Sequence, residues 1–168
     1  METKNSTSSS ATLQHEKLVI SRIFDAPVER IWKFWTEPES LKRWWGPKDF
    51  TAPYCDLDLR EGGKYLFCMR SPEGRDYWST GVYRQIIPFK KIVCTDSFSD
   101  EKGNVVAATY YGMSADFPLE LNITVRFEDV NGKTRLTIEH EGLPGGKDLT
   151  DCREGWSQSL DKLDSALK

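Results

Sequence analysis

Imidazole chemistry in this chain falls to one side chain. The sequence holds two histidines in 168 residues. His15 sits at the edge of a Ser- and Thr-rich stretch, which leaves His140 as the candidate to position a ligand or move a proton. By strand alternation Leu136, Ile138 and His140 share an inward face, while Glu139 and Glu141 point the other way into water. The competing role for His140 is that of a core histidine bonded to a backbone carbonyl or a tyrosine. If it moves protons, Tyr65 or Tyr83 is the partner to expect.

The aromatic set Trp32, Trp35, Trp44, Trp45, Tyr65, Phe67, Tyr83 and Trp156 is large for this length. Tyr and Trp pair an apolar body with a polar tip, which suits a pocket for an amphipathic small molecule. Each ring taken singly fits core packing as well. Asp96 lies inside the strand-like run Cys94 to Phe98. An acid there is costly unless exposed or paired, which predicts an edge-facing position. Tyr110 to Met113, ahead of Pro118, fits either a lid or a packed loop. No nucleophile elbow, phosphate-cradling glycine loop or paired metal-ligand spacing occurs, and neither a metal nor a cofactor is expected. Cys55, Cys68, Cys94 and Cys152 are too far apart for a zinc site or redox dithiol and read as free thiols in a reducing compartment.

These residues need elements to hold them. Residues 1–16, rich in Ser and Thr, predict a disordered tail, and residues 17–168 the folded domain. LVISRIF, from Leu18, predicts a strand, and Pro27 suits the first turn of a helix. In that helix Val28, Ile31, Trp32 and Trp35 form one stripe. Pro38 opens a second short helix carrying Leu41, Trp44 and Trp45. Strands follow at Phe50 to Leu59, Lys64 to Arg70, Tyr77 to Ile87 and Lys91 to Phe98, with Tyr65, Phe67 and Met69 on one face. The alternation Leu119, Leu121, Ile123, Val125 and Phe127 is the strongest in the chain, and Asn131-Gly132 signals a two-residue hairpin into Thr134 to Glu141. From about Thr150 to Leu167, Cys152, Trp156, Leu160, Leu163 and Leu167 mark a long amphipathic helix. Gly155 and Ser159 beside that stripe leave space between helix and sheet. The sum is a two-layer α+β domain.

Composition excludes several partners. The 26 acidic and 23 basic residues are interspersed, for a net charge of -3. No basic stripe offers itself to nucleic acid or an anionic membrane surface. No apolar stretch reaches the ~18 residues of a membrane-spanning helix, and Met1 to Glu16 lacks a signal peptide's apolar centre, so a cytoplasmic location is expected.

Several sequence words go further: FDAPVERIWKFWTEPESLKRWWGP (Phe24 to Pro47), the Gly-Gly turn before KYLFCMRSPEG, GVYRQIIPFKKIVCTDSF (Gly81 to Phe98), YGM, and GWSQSLDKL (Gly155 to Leu163). In this order they resemble the START-like SRPBCC superfamily. Within it the likeness is to proteins similar to the C-terminal domain of the heat-shock protein 90 ATPase activator. The resemblance implies a helix-grip fold: a curved antiparallel sheet of about six to seven strands wrapped around the long C-terminal helix, with a deep cavity between. Relatives use that cavity for lipids, sterols, polyketides or plant hormones, or to cyclise polyketides, and the co-chaperone binds a client ATPase.

Three functions follow as expectations. The first is a protein that binds a small apolar or amphipathic molecule in a pocket formed by Trp32, Trp35, Trp44, Tyr65, Phe67, Met69, Tyr83, His140, Gly155, Trp156 and Ser159. The second is a cyclase-like enzyme in the same cavity, using His140. The third is an interaction module for a chaperone.

Overall fold

The computed structural model describes residues 15–168. Of the predicted tail, residues 1–14 lie outside the described residues. Strand β1 (Glu16–Phe24) runs until Asp25, Ala26 and Pro27 stop it, and Pro27 takes the N-cap of helix α1 (Val28–Thr36) rather than its first turn. Val28, Ile31, Trp32, Phe34 and Trp35 are buried on α1. Pro38 begins α2, which ends at Leu41. Trp44 and Trp45, expected on that helix, lie beyond it on a turn whose amides still reach the Leu41 carbonyl.

Strands β2 (Thr51–Leu57), β3 (Lys64–Arg70), β4 (Asp76–Ile87) and β5 (Lys91–Ser99) form an antiparallel meander. A long connection with a 3-10 turn at Ala108–Tyr111 leads to β6 (Leu121–Val130), and β6 turns directly into β7 (Lys133–Leu143). That turn is Asn131-Gly132, with φ of 54° and 85°, the left-handed pair that a tight hairpin between twisted strands requires. The seven strands make one curved antiparallel sheet in the order β1-β7-β6-β5-β4-β3-β2. Leu119, expected among the inward residues of β6, is 59% exposed, because pairing with β5 starts only at Asp96 opposite Leu121.

Helix α3 (Lys147–Ala166) begins three residues ahead of the expected Thr150. It lays Trp156, Leu160 and Leu163 against the sheet, with Leu167 buried just past its end. Each such burial contributes about 1.5–3 kcal/mol. Arg22 on β1 fastens it from outside through Asp161 at 2.7 Å. The fold is the helix-grip arrangement. No helix among the described residues is long and apolar enough to cross a membrane.

Candidate functional site

The space gripped between sheet and helix is filled at one end and open at the other. Alternation decides which residues meet it. On β6, Phe127 packs edge-on against Trp32 and Trp35, Ile123 and Val125 border a void of about 30 Å³, and Leu121 borders a cavity of about 480 Å³. On β5 the same progression runs from Ile92 and Cys94 at the void to Asp96 and Phe98 at the cavity. The side chains of α1 and the turn after α2 plug the filled end. Trp156 on α3 divides the two, stacked on Trp35 at 6.1 Å and set edge-on to Trp45 at 5.8 Å.

The open end has an aromatic wall. Phe50 contacts Tyr77, Tyr77 contacts Tyr111, and Phe98 contacts both Tyr111 and Phe117, all with ring centroids 5.3–6.1 Å apart. Tyr111 is fixed by its hydroxyl, which donates to the Ser99 carbonyl and accepts from the Trp78 amide. The segment carrying Tyr111, Met113 and Phe117 therefore forms a packed side of the cavity, while Tyr110 points out, 60% exposed. Across from it α3 contributes Cys152, Gly155 and Ser159. Ser159 donates its hydroxyl back to the Gly155 carbonyl, and a Cβ on Gly155 would meet only Pro47 at 3.8 Å, so small side chains do keep this part of the helix open.

Lys162, one turn further on α3, holds the loop that forms the cavity's shoulder. Its ammonium donates to the carbonyls of Gly46, Pro47 and Phe50 at 3.0–3.2 Å, with Trp45 at 3.5 Å. Burial lowers its pKa, and the charge of Asp49 opposes that. Lys162→Met keeps the stem and removes the donors. It is expected to cost about 1.5–3 kcal/mol in urea denaturation, as for hydrogen bonds to a charged group. An unchanged midpoint would show the strut to be idle.

The polar centre of the cavity lies over β6. His140 on β7 pairs with Ile123, and Asp96 on β5 pairs with Leu121, so the two side chains converge across the strand between them. His140 is 6% exposed. Its Nδ1 accepts the Trp156 indole N–H at 3.1 Å, and the Cys152 thiol lies 3.6 Å from the same nitrogen. Its Nε2 stands 3.4 Å from Asp96 Oδ2, within charge-pair reach but without the alignment of a hydrogen bond. Asp96 Oδ1 accepts from the Tyr65 hydroxyl at 3.1 Å, a proton shared with the Thr95 carbonyl.

Burial pushes the His140 pKa down, and the facing Asp96 carboxylate, then the Cys152 thiol, push it up, for a net rise to about 9. The indole decides against the charged form in this geometry. A proton on Nδ1 would face the Trp156 N–H, donor against donor, so the ring is the neutral Nε2–H tautomer and can charge only by releasing Trp156. Tyr65 is pushed well up, by burial first and then by the Asp96 charge, and stays a donor. Burial raises Cys94 and brings Cys55 to about 12 and Cys68 to about 11, so these three free thiols are protonated and unreactive at neutral pH.

The residues expected to form a pocket divide into three groups. Met69, His140, Gly155, Trp156 and Ser159 border the cavity. Tyr65, Phe67, Tyr83 and Trp35 border the small void, together with Trp156. Trp32 and Trp44 border neither: Trp32 packs on Phe89 and Phe127, and Trp44 is fully buried with its N–H on the Phe34 carbonyl. Asp96 is not edge-facing, since β5 is the fourth strand from either side. Its signal was available, because it alternates with Cys94 and Phe98. Trp45, Phe50, Tyr77 and Tyr111 also border the cavity, and nothing in local periodicity separates them from core or loop aromatics.

Comparison with known proteins agrees with this architecture. No curated protein matches the chain. Among solved structures, protein Ms6760 from Mycobacterium smegmatis is 28% identical with a TM-score of 0.74, covering 94% of this chain and 92% of that one. Protein CV1439 from Chromobacterium violaceum is 25% identical with a TM-score of 0.72, over 89% and 95%. The AHSA1 protein from Silicibacter pomeroyi, 24% identical with a TM-score of 0.72 over 90% and 97%, shares the fold. A fold of this kind supports a ligand-binding or interaction module and fixes no ligand. The family model for "Activator of Hsp90 ATPase homolog 1-like protein" matches residues 25–168, from the turn after β1 to the last residue, and the chain belongs to that family.

Proposed function

We propose that this protein binds a small apolar or amphipathic molecule in the cavity between α3 and the sheet. The observation that supports the reading is the cavity of about 480 Å³, inside the range of about 300–1,000 Å³ that ligand sites occupy, with mostly apolar walls, a polar centre at Asp96 and His140, and two carboxylates on the helix. His140 does not favour the cyclase-like alternative. Its Nδ1 is engaged by Trp156, and its Nε2 is shielded from solvent and faces Asp96, so neither nitrogen is free to meet a substrate. The chaperone-module alternative draws on the family's name alone.

The test uses a neutral fluorescent probe, N-phenyl-1-naphthylamine, with wild-type protein and Gly155→Phe. The new ring projects into the cavity, and replacing a mid-helix glycine removes a helix-propensity cost of up to ~1 kcal/mol. Expected are saturable binding to the wild type, at least about tenfold weaker binding to the variant, and a melting temperature that does not fall. Equal binding by both proteins would sink the proposal.

A further inference from the structure

Asp96 is the least expected group in the cavity. It stands in the middle of the sheet with its side chain 23% exposed, on the face that also presents Cys94 and Phe98. An ionised carboxylate has about four acceptor positions. Tyr65 uses one on Oδ1, and Oδ2 faces a histidine N–H that is not aligned to fill another.

The surrounding charge has one sign. Among the described residues the carboxylates bordering the cavity are Asp96, Asp148 and Asp151, and no lysine or arginine borders it. Lys147 engages Asp151 from outside at 2.7 Å, Arg75 lies 5.1 Å from the Tyr77 ring, and Lys162 is occupied with carbonyls. With His140 neutral, the three bordering carboxylates outnumber the two cations that stand just outside the lining, Lys147 on Asp151 and Arg75 on Tyr77. Asp148 has a separate explanation, because it occupies the first turn of α3, where a carboxylate complements the helix dipole. Asp96 has no such role. The second sign of an incomplete site is the neighbouring His140, 6% exposed, which turns its Nε2–H toward Asp96 Oδ2 without the alignment to bond it and so leaves the carboxylate short of donors.

We infer that the ligand is an apolar molecule carrying a protonated amine, its ammonium on Asp96 and its body against Phe50, Tyr77, Phe98 and Trp156. The inference rests on the binding role proposed above. An ammonium gives the carboxylate a charge-assisted hydrogen bond, and the aromatic faces attract cations. Tyr77 already attracts one within the chain, the guanidinium of Arg75. A hydroxyl would leave the carboxylate charge uncompensated, and a ligand carboxylate would be repelled by it.

Three ligands sharing one naphthalene body test this by calorimetry at pH 7: 2-naphthylmethylamine, 2-naphthylmethanol and 2-naphthoate. In the wild type the amine should bind about tenfold tighter than the alcohol, with the naphthoate weakest. In Asp96→Asn the amine and the alcohol should come within about threefold of each other. Equal wild-type affinities for amine and alcohol, or naphthoate the tightest, would overturn the inference and leave the cavity a binding site. A preference for the amine that survives in folded Asp96→Asn would also overturn it. If none of the three binds, and N-phenyl-1-naphthylamine does not distinguish the wild type from Gly155→Phe, both the inference and the binding role fail. Even if the variant does not fold, the wild-type series overturns the inference whenever the amine does not bind tighter than the alcohol or the naphthoate binds tightest, and Asp96→Ser is then the variant that assigns an amine preference to Asp96.

Discussion

Gly81→Ala is expected to destabilise this protein by more than about 3 kcal/mol, out of a total that for a natural domain is about 5–15 kcal/mol. A Cβ at this position would fall on the carbonyl oxygen of Thr95, far inside van der Waals contact, and 2.5 Å from Tyr65 Cε2. The first clash is with the backbone of β5, which cannot rotate aside, so β4 and β5 must part. The second is with the ring that crosses β4 to bring its hydroxyl to Asp96. Glycine at 81 is therefore the residue that lets the Tyr65–Asp96 contact exist. Urea denaturation of Gly81→Ala beside Gly155→Ala makes the comparison. The helical Gly155 has room for a methyl group, and its substitution should gain up to ~1 kcal/mol. Stability of Gly81→Ala within about 1 kcal/mol of the wild type would show that the two strands are not held as described.

The second large effect is expected from Trp44→Ala, at about 3–5 kcal/mol, the range for emptying a buried aromatic site. Trp44 is fully buried, packs against Trp35 and Trp45 at 4.9 and 5.5 Å, and donates its N–H to the Phe34 carbonyl near the end of α1. The truncation removes the plug from the filled end of the grip and strands a carbonyl that no helical amide reaches. At roughly 2–4 °C per kcal/mol for a chain of this size, the melting temperature should fall by about 6–20 °C. Trp45→Ala makes an informative companion, because Trp45 is only half-buried and borders the cavity. It should cost less stability. A smaller loss for Trp44→Ala than for Trp45→Ala would reverse the assignment of plug and cavity wall.

Periodicity made most of the fold legible. The inward set of β6, the Asn131-Gly132 turn, the stripe on α1 and the stripe on α3 all follow from local rules, because each element must bury one face. Boundaries were less legible. Leu119 continues the apolar alternation of β6 but lies outside the sheet, since β5 offers it no partner. Trp44 and Trp45 continue the spacing of α2, but the helix ends at Leu41 and they take different environments. Asp96 was placed at an edge by the general cost of burying a charge. That cost is offset here by the Tyr65 hydroxyl and by partial exposure inside a cavity, two features invisible along the chain.

The candidate site shows the same division. Strand parity put His140 on the inward face, and the small residues Gly155 and Ser159 marked where the helix would stand off the sheet. By itself the sequence determined these element-level facts, because side-chain direction repeats every two residues in a strand and every three to four in a helix. Only the tertiary structure decided which end of the gripped space is open. That depends on how far Trp35, Trp44, Trp45 and Trp156 reach into it from separate elements, and no local period encodes the volume that side chains from different elements jointly fill. It also decided that Tyr65, Asp96, His140 and Trp156, from three strands and a helix, meet in one polar row, hydrogen-bonded from Tyr65 to Asp96 and from Trp156 to His140, with Asp96 facing His140 between them.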